Sequence, residues 1–223
     1  MTAKHRPRPI PAAALRRFRA ANVFNPWSDV DPLDLAPDAP LARLRRLEAH
    51  FTIAPAMMLI GEASGYQGCH FSGIPFTSER LIAGGSIPRV VSPARLSRRS
   101  GPWSEPSATT VWGTLHALGL ADQVVLWNAF AWHPHRPGEP YSNRAPTAGE
   151  LEAGRPVLEA VIALFRHTPL IAVGKVAERA LAQLGHAPLA TLRHPSMGGA
   201  TLFRQGLLGV ARTLKAARAP RRR

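Results

Sequence analysis

MLIGEASGYQGCHFSGIPFTSE, running from Met58 to Glu79, decides the fold. The apolar run on which it opens, Ala56 to Ile60, is short and stops at a glycine. That is the pattern of a strand buried on both faces. Three further runs have the same form: Gln123 to Trp127, Leu170 to Val173 and Leu189 to Leu192. Helical patterns separate them. Leu158, Val161, Ile162 and Phe165 share one stripe, and Thr147 followed by Glu150 reads as a capping box at its start, with Pro156 inside the stripe competing for that start. Further helices are expected at Thr109 to Leu118, Val176 to Leu184 and Leu202 to Ala217, the last with Phe203, Leu207, Val210 and Leu214 on one face. Strands alternating with helices pair in parallel through right-handed crossovers, which predicts an α/β fold: an open three-layer sandwich with helices on both faces of the sheet. The segment from Pro75 to Pro106, rich in Gly, Ser, Pro and Arg, reads as a long surface excursion.

In such sheets ligands gather at the carboxyl ends of the strands. Gly61 to Gly65, Asn128 to Trp132 and His194 to Met197 all follow apolar runs directly, so segments far apart in the chain are expected at one edge. The length of 223 residues fits a single domain, 1–223, with basic and flexible ends at about 1–10 and 217–223.

Lys and Arg total 28 against 14 Asp and Glu, a formal charge of +14 that favours a polyanionic partner, nucleic acid first. The charge gathers in KHRPRP near the start, LRRFR at 15–19, SRRS at 97–100 and the closing RRR, runs that read as solvated tails giving general affinity. The one cysteine, Cys69, excludes an internal disulfide and a four-thiolate metal or iron-sulfur site, and reads as inert in a reducing interior. No apolar run reaches the roughly 18 residues of a membrane span, and no signal-type start precedes a cleavage site. Cytoplasm or nucleoid is the expected location, with a monomer as the default.

Each candidate residue has a chemical and a plain reading. Glu62, flanked by glycines that let backbone approach a ligand, could as a carboxylate orient a water or stabilise positive charge developing on a sugar; a strand-end glutamate also serves as an ion-pair or capping residue. His194 could donate a hydrogen bond to an oxygen that gains charge as a base departs, or act as a structural partner beside Pro195. Ser196 could hold a phosphate together with the amides of a following helix, or simply cap that helix. Asn128 offers a donor and an acceptor, as reading the N3 and O4 of a pyrimidine requires, or forms a turn. Phe76 is a core residue or the floor on which a flipped base stacks, a contact worth about 1–3 kcal/mol.

These residues, in this order, resemble the uracil-DNA glycosylase superfamily. GEASG parallels the GEAPG form of its first motif, GIPF at Gly73 to Phe76 stands where related enzymes carry GRPF, NRAPT at Asn143 to Thr147 resembles an NRxPT-like segment, and HPS at His194 to Ser196 matches the late motif. The likeness runs from about Met57 to Leu208, roughly two-thirds of the chain. It implies a four-stranded parallel sheet, no cofactor or metal in the chemistry, uracil-containing DNA as partner, and base flipping followed by hydrolysis of the N-glycosidic bond through an oxocarbenium-like state. Carried over by position, Gly61, Ala63 and Tyr66 line the base pocket with Phe76 and Asn128, Glu62 assists the water or the cation, and His194 stabilises the O2 anion. Ser107, Gly174, Lys175 and Ser196 would pinch backbone phosphates, and Met197 with Gly198 and Gly199 occupies the place of a minor-groove wedge.

Three departures from the family pattern follow. Ala63 stands where the best-known members have the water-activating Asp. The GEAPG form accompanies an iron-sulfur cluster in its usual owners, yet a single Cys cannot hold one, and Trp132 lies near an expected ligand position, so the cluster is predicted absent. Tyr66 is one place beyond the aromatic that excludes the thymine methyl in the Asp-containing members. The alternatives are a catalytically idle module that binds damaged or abasic DNA, and a glycosylase for hypoxanthine or xanthine.

Overall fold

The computed structural model describes residues 10–90 and 94–218; the basic runs KHRPRP and RRR lie outside the described residues. In chain order the elements are α1 (Ala12–Arg17), β1 (Val23–Phe24), α2 (Ala39–His50), β2 (Met57–Ala63), α3 (Cys69–Ser72), α4 (Glu79–Ala83), α5 (Pro106–Ala117), β3 (Val124–Phe130), β4 (His133–Pro134), α6 (Ala148–Leu164), β5 (Leu170–Val173), α7 (Lys175–Gln183), β6 (Ala190–Leu192) and α8 (Ala200–Arg218). Four strands form one parallel sheet in the order β3-β2-β5-β6, and β1 pairs antiparallel with β4.

The apolar runs are continuous because both faces of the sheet are covered. Met58 and Ile60 point into a layer with Trp27, Leu47, Trp127, Val161 and Leu181, while Met57 and Leu59 point into the other layer with Val111, Trp112, Phe203 and Leu207. Helices α6 and α7 therefore cover one face and α5 and α8 the other, giving the expected three-layer sandwich. Pro156 sits inside α6 without displacing its start: Glu150 N–H donates to Thr147 Oγ1 at 3.2 Å and Thr147 N–H to Glu150 Oε2 at 2.7 Å, a complete capping box.

Several expectations need correction. Strand β2 continues through Gly61, Glu62 and Ala63, and β3 through Asn128 to Phe130, because pairing of Gly61 with Asn128 and Ala63 with Phe130 extends the ladder past the apolar residues. Helix α5 begins at Pro106, whose missing N–H costs nothing in the first turn, so Ser107 belongs to that turn. The segment 75–106 is no loose excursion. The buried Glu79 carboxylate accepts hydrogen bonds from Leu96 N and Ser97 N at 2.9 Å each and from Ser97 Oγ, anchoring the returning chain.

In the basic runs that fall on described residues, Arg16, Arg17, Arg19, Arg98 and Arg99 are exposed, as expected, while their neighbours tie the chain down. Phe18 stacks on Trp132 at 3.8 Å, and the Leu15 carbonyl accepts from Trp132 Nε1. In SRRS, Arg98 donates to the Asp34 carbonyl at 2.7 and 3.0 Å, and the Arg99 guanidinium lies 3.9 Å from the Trp103 ring. Of the ends expected to be flexible, at about 1–10 and 217–223, residues 1–9 and 219–223 lie outside the described residues; Ile10 is buried and α8 runs through to Arg218.

A buried ion pair holds the N-terminal segment on the sandwich. Arg43 on α2 meets Asp34 at 2.8 Å with both side chains enclosed, and its remaining donors reach the Pro26 and Asp29 carbonyls. Among the described residues no helix is long and apolar enough to cross a membrane.

Candidate active site

The carboxyl ends of the strands carry the site. Gly61 on β2 lies beside Asn128 on β3, and a β-carbon on Gly61 would stand 2.3 Å from Phe76 Cζ and 2.6 Å from Asn128 Oδ1. Glycine is therefore the residue that lets the ring and the amide meet. Phe76 adopts φ 52°, a left-handed backbone that is costly for an aromatic residue and is held here by its surroundings. Its ring lies 5.9 Å from that of His194. Gly174, directly after β5, faces the same histidine: a β-carbon there would be 3.6 Å from His194 Cβ. Gly61, Phe76, Asn128, Gly174 and His194 thus form one contiguous group from four strand ends.

Gly61→Ala is expected to push Phe76 and Asn128 apart and to lower the activity of this site about 100-fold, the effect of an ångström-scale misplacement. Full activity in the alanine variant would show that the two side chains need not touch.

His194 is set as a neutral donor. The Ser196 N–H donates to Nδ1 at 3.2 Å and the Ser196 hydroxyl lies 2.7 Å from the same atom, so Nδ1 accepts and the ring proton resides on Nε2. Burial, with help from Arg193, pushes the pKa down to about 4. Ser196 is exposed and precedes α8 by several residues, so it orients the imidazole rather than capping that helix. Met197 follows at φ 50° and 91% exposed, with Gly198 at φ 75°; two successive left-handed residues project the thioether outward as an apolar tip.

Glu62 stands apart from this group. The two-residue period places it on the Met58 and Ile60 face, which α7 covers, whereas Phe76 belongs to the opposite layer. Burial raises its pKa and Arg179 on α7 opposes the rise. No hydrogen bond links Glu62 to another described side chain.

Of the remaining expected residues, Ala63 pairs with Phe130 and is half-buried, and Tyr66 packs edge-to-face on Trp103 at 5.5 Å. Ser107 is half-buried in the first turn of α5, and Lys175 opens α7 in an exposed pair with Glu178 at 2.8 Å. Cys69 is buried, and its thiol is pushed up to about 12 by that burial.

The sequence reading missed the supports of the loop after β2. Asn143 Oδ1 accepts the Tyr66 N–H at 3.0 Å. Behind it runs a buried chain in which His133 Nε2 bonds the Ser142 carbonyl at 2.8 Å, His70 Nδ1 meets His133 Nδ1 at 2.9 Å, and His70 Nε2 meets Asp31 at 2.9 Å, with Tyr141 O–H donating to the same carboxylate. Burial pushes the Asp31 carboxyl up, but hydrogen bonds from His70 and the Leu33 N–H outweigh it and hold the group low. Among the described residues no three His, Cys, Asp or Glu side chains are grouped as metal ligands.

At the strand ends of this open α/β sheet a histidine with Nε2–H free to donate, a buried asparagine and a buried phenylalanine stand together. A family model described as the Uracil DNA glycosylase superfamily matches residues 49–206. The chain belongs to that superfamily, and so to the DNA glycosylases of base excision repair. The fold is similar to that in a crystal structure of wild-type SMUG2 from Pedobacter heparinus, with a TM-score of 0.60 and 14% identity over 92% of this chain and 96% of that one. No curated protein matches the chain.

Proposed function

We propose that this glycosylase releases uracil from DNA. The observation that carries the reading is the meeting of Phe76 and Asn128 over Gly61 beside the His194 ring. A flipped pyrimidine stacks on Phe76, the Asn128 amide donates to O4 and accepts from N3–H, and His194 Nε2–H bonds O2 as the C1′–N1 electrons pass to the base. Water then adds to C1′, its hydroxyl bonding the sugar carbon and its proton passing to the departed uracil anion. Glu62, at the same strand end but on the opposite face of the sheet, contributes long-range electrostatic stabilisation of the sugar cation. Tyr66 and Ala63 border the pocket, Ser107, Gly174, Lys175 and Ser196 contact phosphates, and Met197 with Gly198 fills the gap left in the duplex. The +14 charge supplies the attraction to DNA.

The test is incubation of single- and double-stranded oligonucleotides containing uracil with excess enzyme at low salt. Absence of an alkali-labile site ends the reading. Asn128→Ala is expected to lower uracil release about 10- to 100-fold, since its loss leaves two polar edges of the base unpaired at about 1–3 kcal/mol. Unchanged release would remove Asn128 from base recognition.

One contact favours a second reading. Asn128 Nδ2 reaches Ser64 Oγ only at 3.5 Å, too long to lock the amide, which is free to present its donor and acceptor in exchanged positions. Hypoxanthine or xanthine would then be taken, and oligonucleotides carrying each base separate the two. The idle DNA-binding module, suggested by Ala63, predicts binding with no release from any of them.

A further inference from the structure

Glu105, the residue immediately before α5, is a carboxyl that the reading above does not use. Its tip lies flat against the turn that follows β2: a β-carbon on Gly68 would stand 2.2 Å from Oε2, and one on Gly65 3.3 Å from Oε1. Oε2 is enclosed and has no hydrogen-bond partner among the described residues. The side chain does not cap α5 and takes part in none of the ion pairs of the described residues. Burial pushes its pKa up to about 7. Asn143, which holds the Tyr66 N–H, stands over Gly65 too, with its amide oxygen 3.5 Å from the place of a β-carbon.

A half-buried carboxyl with one oxygen enclosed and unpartnered costs stability, and the fold draws no ion pair or cap from this one. Costs of this kind persist where function requires them. Helix α5 lies on the Phe76 layer of the sheet, so Glu105 reaches the loop from the side on which the base floor is built. We propose that Glu105 is a positioning residue of the glycosylase reaction, wedged between Gly65 and Gly68 to hold the turn carrying Tyr66 in the shape that an extruded base requires. The inference rests on the glycosylase reading and deepens it: Glu105 and Asn143 clamp the loop from two directions, one by packing and one by a hydrogen bond.

The test compares Glu105→Ala, Glu105→Gln and wild type by single-turnover release from uracil, hypoxanthine and xanthine oligonucleotides, by affinity for a duplex with a tetrahydrofuran abasic analogue, and by Tm. Glutamine keeps the shape and should retain activity within about 3-fold, whereas alanine should lose about 10- to 100-fold in rate. Abasic-duplex affinity should stay within about 2-fold of wild type, and Tm should stay near wild type in both variants, because glutamine fills the same volume and in alanine the removal of one unpaired buried oxygen offsets the lost packing. An alanine variant as fast as wild type overturns the inference. So does a rate loss that glutamine fails to rescue or that follows a fall in Tm. If wild type releases only another base, the uracil reading alone fails and the variants are compared on that base; release of no base overturns both.

Discussion

Replacing His194 by alanine is expected to slow single-turnover base release about 100- to 1,000-fold, the usual consequence of removing one preorganised donor from a developing oxyanion. The effect is large because the ring is already fixed before substrate arrives: Ser196 occupies Nδ1 from two atoms, leaving Nε2–H as the only donor the imidazole can present. With its pKa pushed down to about 4, the ring stays neutral across the physiological range, so this residue should impose no fall in rate between about pH 6 and 8. The same depression has a stability consequence. The unfolded chain protonates its histidine below about 6.5, while the folded site resists until about 4, so folding stability is lost as pH falls through that window. His194→Ala should lose less stability than wild type over the same interval, measured by urea unfolding at pH 7 and pH 5. Parallel pH dependence in the two proteins would remove the neutral-ring assignment, and an unchanged rate would remove His194 from the chemistry.

Asp34→Ala is expected to destabilise the protein by about 3–5 kcal/mol, because it strands the Arg43 guanidinium in a dry interior. Both partners are enclosed, and Arg43 uses its other donors to hold the carbonyls of Pro26 and Asp29. The damage should reach the site. Trp27, next to Pro26, donates its indole N–H to the Gly73 carbonyl at 3.1 Å, and Gly73 opens the segment that places Phe76. Urea denaturation gives the stability, and a loss below about 1 kcal/mol would show that water reaches Arg43.

What was legible in the chain follows from where burial is uniform. Strands β2, β3 and β5 announced themselves because both faces of the sheet are dry around their apolar runs, whereas the edge strand β6 is half-buried at Ala190 and Thr191 and was marked by Leu189 and Leu192. Their ends were not legible: Gly61, Glu62, Ala63 and Asn128 look like loop residues, and only the pairing of β2 with β3 makes them strand. Helix α2 was invisible for the opposite reason. Arg43, Arg46 and His50 occupy its buried face, and they erase the apolar stripe that would have marked it. Glu79 misled in the same way, since a buried carboxylate that organises Leu96 and Ser97 looks in sequence like any charge in a polar loop. In the site, residues with distinctive chemistry at strand ends could be singled out, and Asn143 was marked by its place in NRAPT though not by its contact with Tyr66, whereas Glu105 and the Asp31–His70–His133 chain could not. Their meaning lies in partners tens of positions away, and no local pattern encodes those meetings.

The protein's sole thiol has a practical corollary. Cys69 is sealed beneath the loop after β2 and so basic that it carries almost no thiolate at neutral pH, leaving the native surface blind to maleimides and iodoacetamides. A single Leu202→Cys replacement, on the exposed first turns of α8 a few residues from the Met197 tip, would accept one fluorophore and no other, giving an optical report of events beside that tip without first stripping the chain of competing sulfur.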